Sequence, residues 1–401
     1  MKQLDQIDLT NQRVLLRADL NAPLKADQNG QMQITDDGRL KASVETIQLL
    51  IKKNAKIIIL AHLGRPKGER KPELSLKPIA NRLGELLNKP IDFIEDINDP
   101  ELNNKINNLK TGEVIMLENI RFEKDETSKD QTERNRLAQK LAQLGDFFVI
   151  DGFGVVHREQ ASVTDIARLL PNAAGKLVET EQKAFDKVLN NPERPYAVVL
   201  GGSKVSDKLG VINNLITKVD LLLIGGGMAF TFLKAKGFEV GQSLLEVDRI
   251  DEVKQLMKVA QDKNVEIVLP LDVIVSKELD GSAAVNTVDI ANIPKDQKGL
   301  DIGPKTVELF TSKLNHAKTV VWNGPMGVFE VKQFSNGTKQ IAQKISELSA
   351  YTVVGGGDSA AAIRLLGLDE SKFDHISTGG GASLELLEGK ELPGLKVLEE
   401  V

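Results

Sequence analysis

An α/β architecture is predicted for this chain: two doubly wound parallel-sheet domains that face each other across a cleft and are joined by a hinge helix. Three observations predict it. At 401 residues the chain exceeds what one hydrophobic core organises, and about 150 residues per domain gives two or three units, of which two are expected. Short apolar runs recur with helical stretches between them, the rhythm of βαβ units. Aromatic residues make up only 4%, so the core is built from Leu, Ile, Val and Ala, as in layered α/β folds.

Taken in order, the first half carries expected strands at Val14–Arg17, Lys56–Ala61, Glu113–Leu117 and Phe147–Ile150. The second half carries them at Tyr196–Leu200, Leu221–Ile224, Glu266–Pro270, Thr319–Trp322, Thr352–Val354 and His375–Ser377. Between the halves, GKLVETEQKAFDKVLNN places Leu177, Val178, Ala184, Phe185, Val188 and Leu189 on one helical stripe between Pro171 and Pro192. This segment is a candidate interdomain helix, and an ordinary crossover helix would show the same pattern.

Bulk composition narrows the function classes. Hydrophobic residues at 41% and charged residues at 27% suit a globular protein with a full core. Cysteine is absent, which removes disulfides, thiolate nucleophiles and Cys-based zinc sites. The opening MKQLDQIDLTNQRV lacks the apolar run of a signal peptide, and no 18-residue apolar stretch follows, so a cytoplasmic location is expected. A net charge of −5 argues against nucleic acid or an anionic membrane as partner and makes any anion site local.

In an open parallel sheet, ligands bind beyond the carboxyl ends of the strands. In the first half those positions read Asp19-Leu20-Asn21, His62-Leu63-Gly64-Arg65, Glu118-Asn119-Ile120-Arg121 and Asp151-Gly152-Phe153-Gly154 followed by His157-Arg158, with Arg39 before a helix. Any one arginine reads as a solvated surface charge. The repeated placement reads differently, because clustered guanidiniums repel unless an anion compensates them and their planar forks match carboxylate and phosphate oxygens. A small polyanion is the expected ligand. For His62 and His157, a neutral ring bonded to the backbone stands beside a chemical role; His62 is assigned to substrate contact and His157 is left unassigned.

In the second half every strand end carries glycine: Gly201-Gly202-Ser203-Lys204 with Lys208 beyond, Gly225-Gly226-Gly227, Asn323-Gly324-Pro325, Gly355-Gly356-Gly357-Asp358-Ser359 and Gly379-Gly380-Gly381. Glycine lets backbone N–H groups approach a phosphate, and the following helix adds its positive N-terminus. A nucleotide site is expected, although neither the P-loop nor the dinucleotide fingerprint occurs. Asp358 offers the hard oxygen that magnesium prefers, or alternatively a helix N-cap.

The segments VLLRADLNAP, HLGRP, LENIRF, GGSKVSDK, GGGMAFTF, WNGPMGVFE, GGGDSAAA and STGGGASLELLEGKELPG occur in this order from end to end, and in this the sequence resembles the phosphoglycerate kinase family. The resemblance implies reversible, Mg²⁺-dependent, in-line phosphoryl transfer from 1,3-bisphosphoglycerate to ADP, giving 3-phosphoglycerate and ATP, by a monomer. It implies that Asp19, Asn21, Arg39, His62, Arg65, Arg121 and Arg158 hold the phosphoglycerate. Lys208, Gly299 of KGLDIGP, Glu330 of GVFE and Gly356, Gly357, Asp358 and Ser359 would hold the nucleotide, with Asp358 on the metal. Arg39 and Lys204 would be the catalytic pair that meets the phosphoryl group in transfer. A returning C-terminal tail is also implied, giving an N-terminal domain of residues 1–172 plus 386–401, an interdomain helix over 173–190 and a C-terminal domain over 191–385. Two departures stand out: Gln160 in DGFGVVHREQ replaces a second histidine, and Ser359 replaces threonine while keeping the hydroxyl.

The implied acceptor is a carboxylate, ionised at neutral pH because its pKa lies near ~4, so no general base is required. Positioning and cationic stabilisation then do nearly all the work. Two rivals are a hinged anion-binding protein, which leaves Lys204, Lys208 and Asp358 without a role, and an inactive relative, which the intact site residues oppose.

Overall fold

The structure, a computed structural model, describes residues 3–398, so the outermost ends of the expected first domain, residues 1–2 and 399–401, lie outside the described residues. The chain divides into two compact units. One runs to Gln182 and takes the chain back from Glu391; the other spans Lys183–Lys390.

The first unit contains β1 (Arg13–Ala18), a hairpin of β2 (Leu24–Ala26) and β3 (Met32–Ile34), then β4 (Lys56–Leu60), β5 (Asp92–Ile94), β6 (Val114–Leu117), β7 (Phe147–Asp151) and β8 (Asn172–Ala174). Six of these form a parallel sheet in the order β5-β6-β4-β1-β7-β8. Val14, Leu16, Ile57, Ile59, Val114, Met116 and Val149 face a core completed by Leu40, Ile47 and Leu50 of the helix Gly38–Lys52. The alternate residues Leu15, Ile58, Ile115 and Phe148 are equally buried on the other face. Burial on both faces is why these strands read as continuous apolar runs.

The second unit contains β9 (Tyr196–Leu200), β10 (Leu221–Ile224), β11 (Glu266–Val268), β12 (Asp272–Ser276), β13 (Asn286–Asp289), β14 (Lys298–Ile302), β15 (Thr319–Asn323), β16 (Tyr351–Gly355) and β17 (His375–Ile376). Its parallel sheet has the order β11-β10-β9-β15-β16-β17, and β12 pairs antiparallel with β13 and β14 in a separate sheet. In each parallel sheet the order reverses direction beside the first strand, at β1/β7 and at β9/β15. Chain leaving those strands must separate to either side, which opens a crevice at their carboxyl ends.

Several expectations are corrected in detail. The stretch Glu266–Pro270 is strand only to Val268, and His375–Ser377 only to Ile376. The edge strands β5 and β8 and the whole antiparallel sheet were not expected. In β12 the signal was present as the β-branched run Val273-Ile274-Val275, with Val273 and Val275 buried. Residues 386–390 stay with the second unit instead of returning to the first, because Asn214 Nδ2 donates to Leu387 O at 2.8 Å and Gly389 packs on the Asn214 side chain.

The helix Lys176–Leu189 contains the boundary between the units. Asp151, at the end of β7, accepts from Leu177 N at 3.0 Å and so secures its first turn. Burial pushes this carboxyl up to about 8. The folded chain therefore keeps a proton that the unfolded chain, with a pKa near ~3.9, has already lost, and stability falls as pH rises between about 4 and 8. Asp151→Asn retains the acceptor and removes the titration. It is expected to raise the melting temperature roughly 10 °C more at pH 8 than at pH 5, and an equal shift at both pH values would count against it.

Candidate active site

At the crevice of the first unit, Asp19 follows β1 and is 5% exposed. Its carboxylate accepts from Arg39 Nη1, and Arg39 is carried on the first turn of the helix Gly38–Lys52. Gly154, after β7, fits against this pair: a Cβ there would lie 2.2 Å from Asp19 Oδ2. The Asn21 side chain accepts from Gly64 N at 2.9 Å, and Arg121 Nη1 donates to Gly64 O at 2.9 Å. The turn after β4 is thus clamped from both sides, in a left-handed conformation at Gly64 (φ +61°).

His62, on that turn, is buried among cations. Burial, then Arg17, Arg121, Arg39 and Arg158, hold its imidazole well below the ordinary histidine range. Arg121 is itself lowered to about 10 by burial and by Arg17 and Arg158. Arg158 Nε donates to His157 Nε2 at 3.0 Å, and burial with the Arg158 charge pushes His157 down to about 4. Both rings are therefore neutral at pH 7. The structure brings Asp19, Arg39, Asn21, His62, Arg121 and Arg158 together. Arg65 stands exposed beside them, outside this hydrogen-bond network. Sequence reasoning missed Arg17, whose signal was a charge in the middle of an apolar strand.

In the second unit the glycine turns after β9, β10 and β15 are stacked backbone on backbone. A Cβ on Gly201 would lie 2.1 Å from Pro325 O, and one on Gly226 2.7 Å from Gly202 N. No other residue permits this approach. Two cavities share the walls these turns make. One, of about 310 Å³, is lined by Lys204, Lys208, Asn323 and Gly356–Ser359. The other, of about 400 Å³, is lined by Gly299, Glu330, Phe230, Leu244 and Met326 and is the more apolar.

Lys208 Nζ donates to Asn323 Oδ1, and burial lowers its ammonium against the opposing charges of Asp207, Asp358 and Glu388. Lys204 is exposed. The N-cap reading of Asp358 is corrected: the cap position of the helix Gly357–Leu365 belongs to Gly356 (φ +89°), and no side chain caps it. The Asp358 carboxylate stays exposed at the positive end of that helix. Ser359 is buried, and its Oγ accepts from Gly324 N at 2.7 Å, which ties this helix to the turn after β15. Gly299 lies under the Phe230 ring, where a Cβ would come within 2.0 Å. Sequence reasoning named Asn323 within its turn but gave it no role, and it missed Phe230 inside an ordinary helical pattern.

A cationic crevice without an acid–base pair and a glycine-built cradle beside an apolar slot suit transfer of a phosphoryl group. The sequence model of phosphoglycerate kinase matches residues 4–390. The chain belongs to the phosphoglycerate kinase family. It is 56% identical over 406 residues to the phosphoglycerate kinase of Bifidobacterium longum, with all of both chains covered. It is 53% identical over 408 residues to that of Streptomyces avermitilis, again over the whole of both. The solved phosphoglycerate kinase of Coxiella burnetii superposes with a TM-score of 0.88 at 40% identity, covering 99% of this chain and 98% of that one. The chain accordingly has the family's phosphotransferase activity, with 3-phosphoglycerate or 1,3-bisphosphoglycerate and ATP or ADP as substrates in glycolysis.

Proposed function

We propose that phosphoglycerate is held on the first unit by Asp19, Asn21, Arg39, His62, Arg65, Arg121 and Arg158, and that the nucleotide is held on the second by Lys208, Gly299, Glu330 and Gly356–Ser359. The observation that carries this reading is the crowding of Arg17, Arg39, Arg121 and Arg158 around one uncharged histidine, an arrangement that an incoming polyanion relieves. In the second unit the apolar cavity suits a flat base and the glycine-lined one suits phosphates.

The transfer is a direct in-line displacement. A β-phosphate oxygen of ADP attacks the acyl phosphorus, the P–O bond to the carboxyl breaks, and the carboxylate departs without needing a proton. The neutral state of His62 and His157 at pH 7 fits a reaction that requires no general base. Arg39 and Lys204 neutralise charge on the group in flight.

Among the described residues no cluster of three or more metal-ligating side chains occurs. A single exposed carboxylate at Asp358 beside a phosphate cradle fits Mg²⁺, which commonly takes one or two carboxylates with substrate phosphates and water. Held there, Mg²⁺ would neutralise nucleotide phosphate charge. The reading further includes a monomeric, cytoplasmic enzyme in which the helix Lys176–Leu189 acts as a hinge. Among the described residues no helix is long and apolar enough to cross a membrane.

The test is a coupled assay of ATP formation from ADP and 1,3-bisphosphoglycerate with and without Mg²⁺; activity insensitive to Mg²⁺ removal would discard the metal role. For the division of substrates, Arg65→Ala is expected to raise the KM for 3-phosphoglycerate about tenfold, the loss of one charge-assisted contact. Arg121→Ala should raise it further, because the clamp on Gly64 O is lost as well. Calorimetric titration should show unchanged ADP affinity in both, and an equal loss of ADP binding would contradict the assignment.

A further inference from the structure

Arg17 lies within β1 and its side chain is wholly buried. Its guanidinium is fixed on three sides: Nε donates to Ser162 Oγ at 2.8 Å, Nη1 donates to Ala18 O at 2.6 Å, and Nη2 stands 3.2 Å from His62 Nδ1. Arginine carries only donors and keeps its proton in proteins. The third contact is therefore a hydrogen bond only if Nδ1 offers its lone pair. We propose that Arg17 is a positioning residue that fixes His62 as the neutral Nε2–H tautomer, so that His62 presents the phosphoglycerate anion with a hydrogen-bond donor and not a charge. This rests on the reading of the first unit as the phosphoglycerate site.

The groups around the ring explain why it does not become an imidazolium. The cations are Arg17 from β1, Arg39 from the helix Gly38–Lys52, Arg121 after β6 and Arg158 after β7. Of the acids nearby, Asp19 is paired with Arg39. Glu126 accepts from Ser162 N at 2.9 Å and from Ser162 Oγ at 2.6 Å, so it offsets Arg17 through that hydroxyl and leaves His62 alone. A second proton on His62 would have to sit on Nδ1, facing a guanidinium at hydrogen-bond distance. The consequence is an anion site whose affinity does not vary with the ionisation of its own histidine.

The first measurement needs no variant. Long-range ¹⁵N–¹H correlation of the ligand-free protein should show His62 with protonated Nε2 and unprotonated Nδ1 throughout pH 5.5 to 8, and a protonated Nδ1 anywhere in that range overturns the proposal. Addition of 3-phosphoglycerate should shift the Nε2 resonance. The expected tautomer without any such shift would refute the substrate reading of the site and with it the role proposed for the donor.

The second measurement uses Arg17→Met combined with Glu126→Gln, so that neither buried charge is stranded. With Nδ1 released, the ring should titrate nearer its ordinary ~6.5. The KM for 3-phosphoglycerate, taken as a ratio to the parent so that the substrate's own ionisation cancels, should be about tenfold raised at pH 8. The ratio should fall towards unity at pH 5.5, where an imidazolium replaces the lost oriented donor. A ratio constant across pH would make Arg17 a packing residue only and overturn the proposal. Should the double variant fail to fold, the tautomer in the parent still decides.

Discussion

Lys204→Ala is expected to lower kcat by about two to three orders of magnitude while changing the nucleotide KM by less than about threefold. Lys204 lies in the turn after β9, exposed, on the wall of the smaller cavity. A flexible ammonium of this kind contributes most when negative charge spreads over the equatorial oxygens of the transferring group. Its neighbour Lys208 is different in kind. That ammonium is partly buried and bonded to Asn323, so Lys208→Ala should raise the nucleotide KM and depress kcat less. Steady-state kinetics of the pair separates the two roles, and an unchanged kcat in the Lys204 variant removes it from the chemistry.

Arg39→Ala is the second large effect, with kcat expected to fall about a hundredfold or more. Arg39 is paired with Asp19, whose carboxylate is almost buried, so truncation also strands a negative charge at the proposed substrate site. The KM for 3-phosphoglycerate should rise in the same variant. Combining Arg39→Ala with Asp19→Asn should recover much of the KM loss and little of the kcat loss. If both recover together, Arg39 acts by neutralising Asp19 and not by meeting the phosphoryl group.

Core strands were legible in the sequence because both faces of each parallel sheet are covered, which leaves uninterrupted apolar runs. The edge strands Asp92–Ile94 and Asn172–Ala174 were not, since three residues with one covered edge carry no pattern. Strand-end residues such as Asn21 and Arg121 could be singled out by position, but their roles, like that of Lys208, came from the family resemblance. Arg17 was not, because its meaning lies in contacts with Ser162, distant by 145 positions, and His62, distant by 45. Spacing along the chain carries no trace of either. Whether the two histidines carry charge could not be decided from sequence, because it depends first on their burial and then on the guanidiniums folded around them.

The return of the chain's end to the first unit bears on how the molecule is made. Leu392, Leu395, Val397 and Leu398 are buried, and Gly394 N donates to Val156 O at 2.7 Å. Gly394 admits no side chain here, since a Cβ would meet Val156 Cα at 2.8 Å. During translation the N-terminal part of this unit emerges first, yet the segment that seals it is made only after the whole of the intervening unit. The intervening unit, contiguous from Lys183 to Lys390, can fold from one unbroken stretch, whereas the first unit must wait for the segment from Glu391 onward. A stop codon placed just before Glu391 should therefore yield a protein whose second unit is intact and whose first unit opens readily to protease; on the proposed division of substrates, 3-phosphoglycerate binding is lost and ADP binding kept.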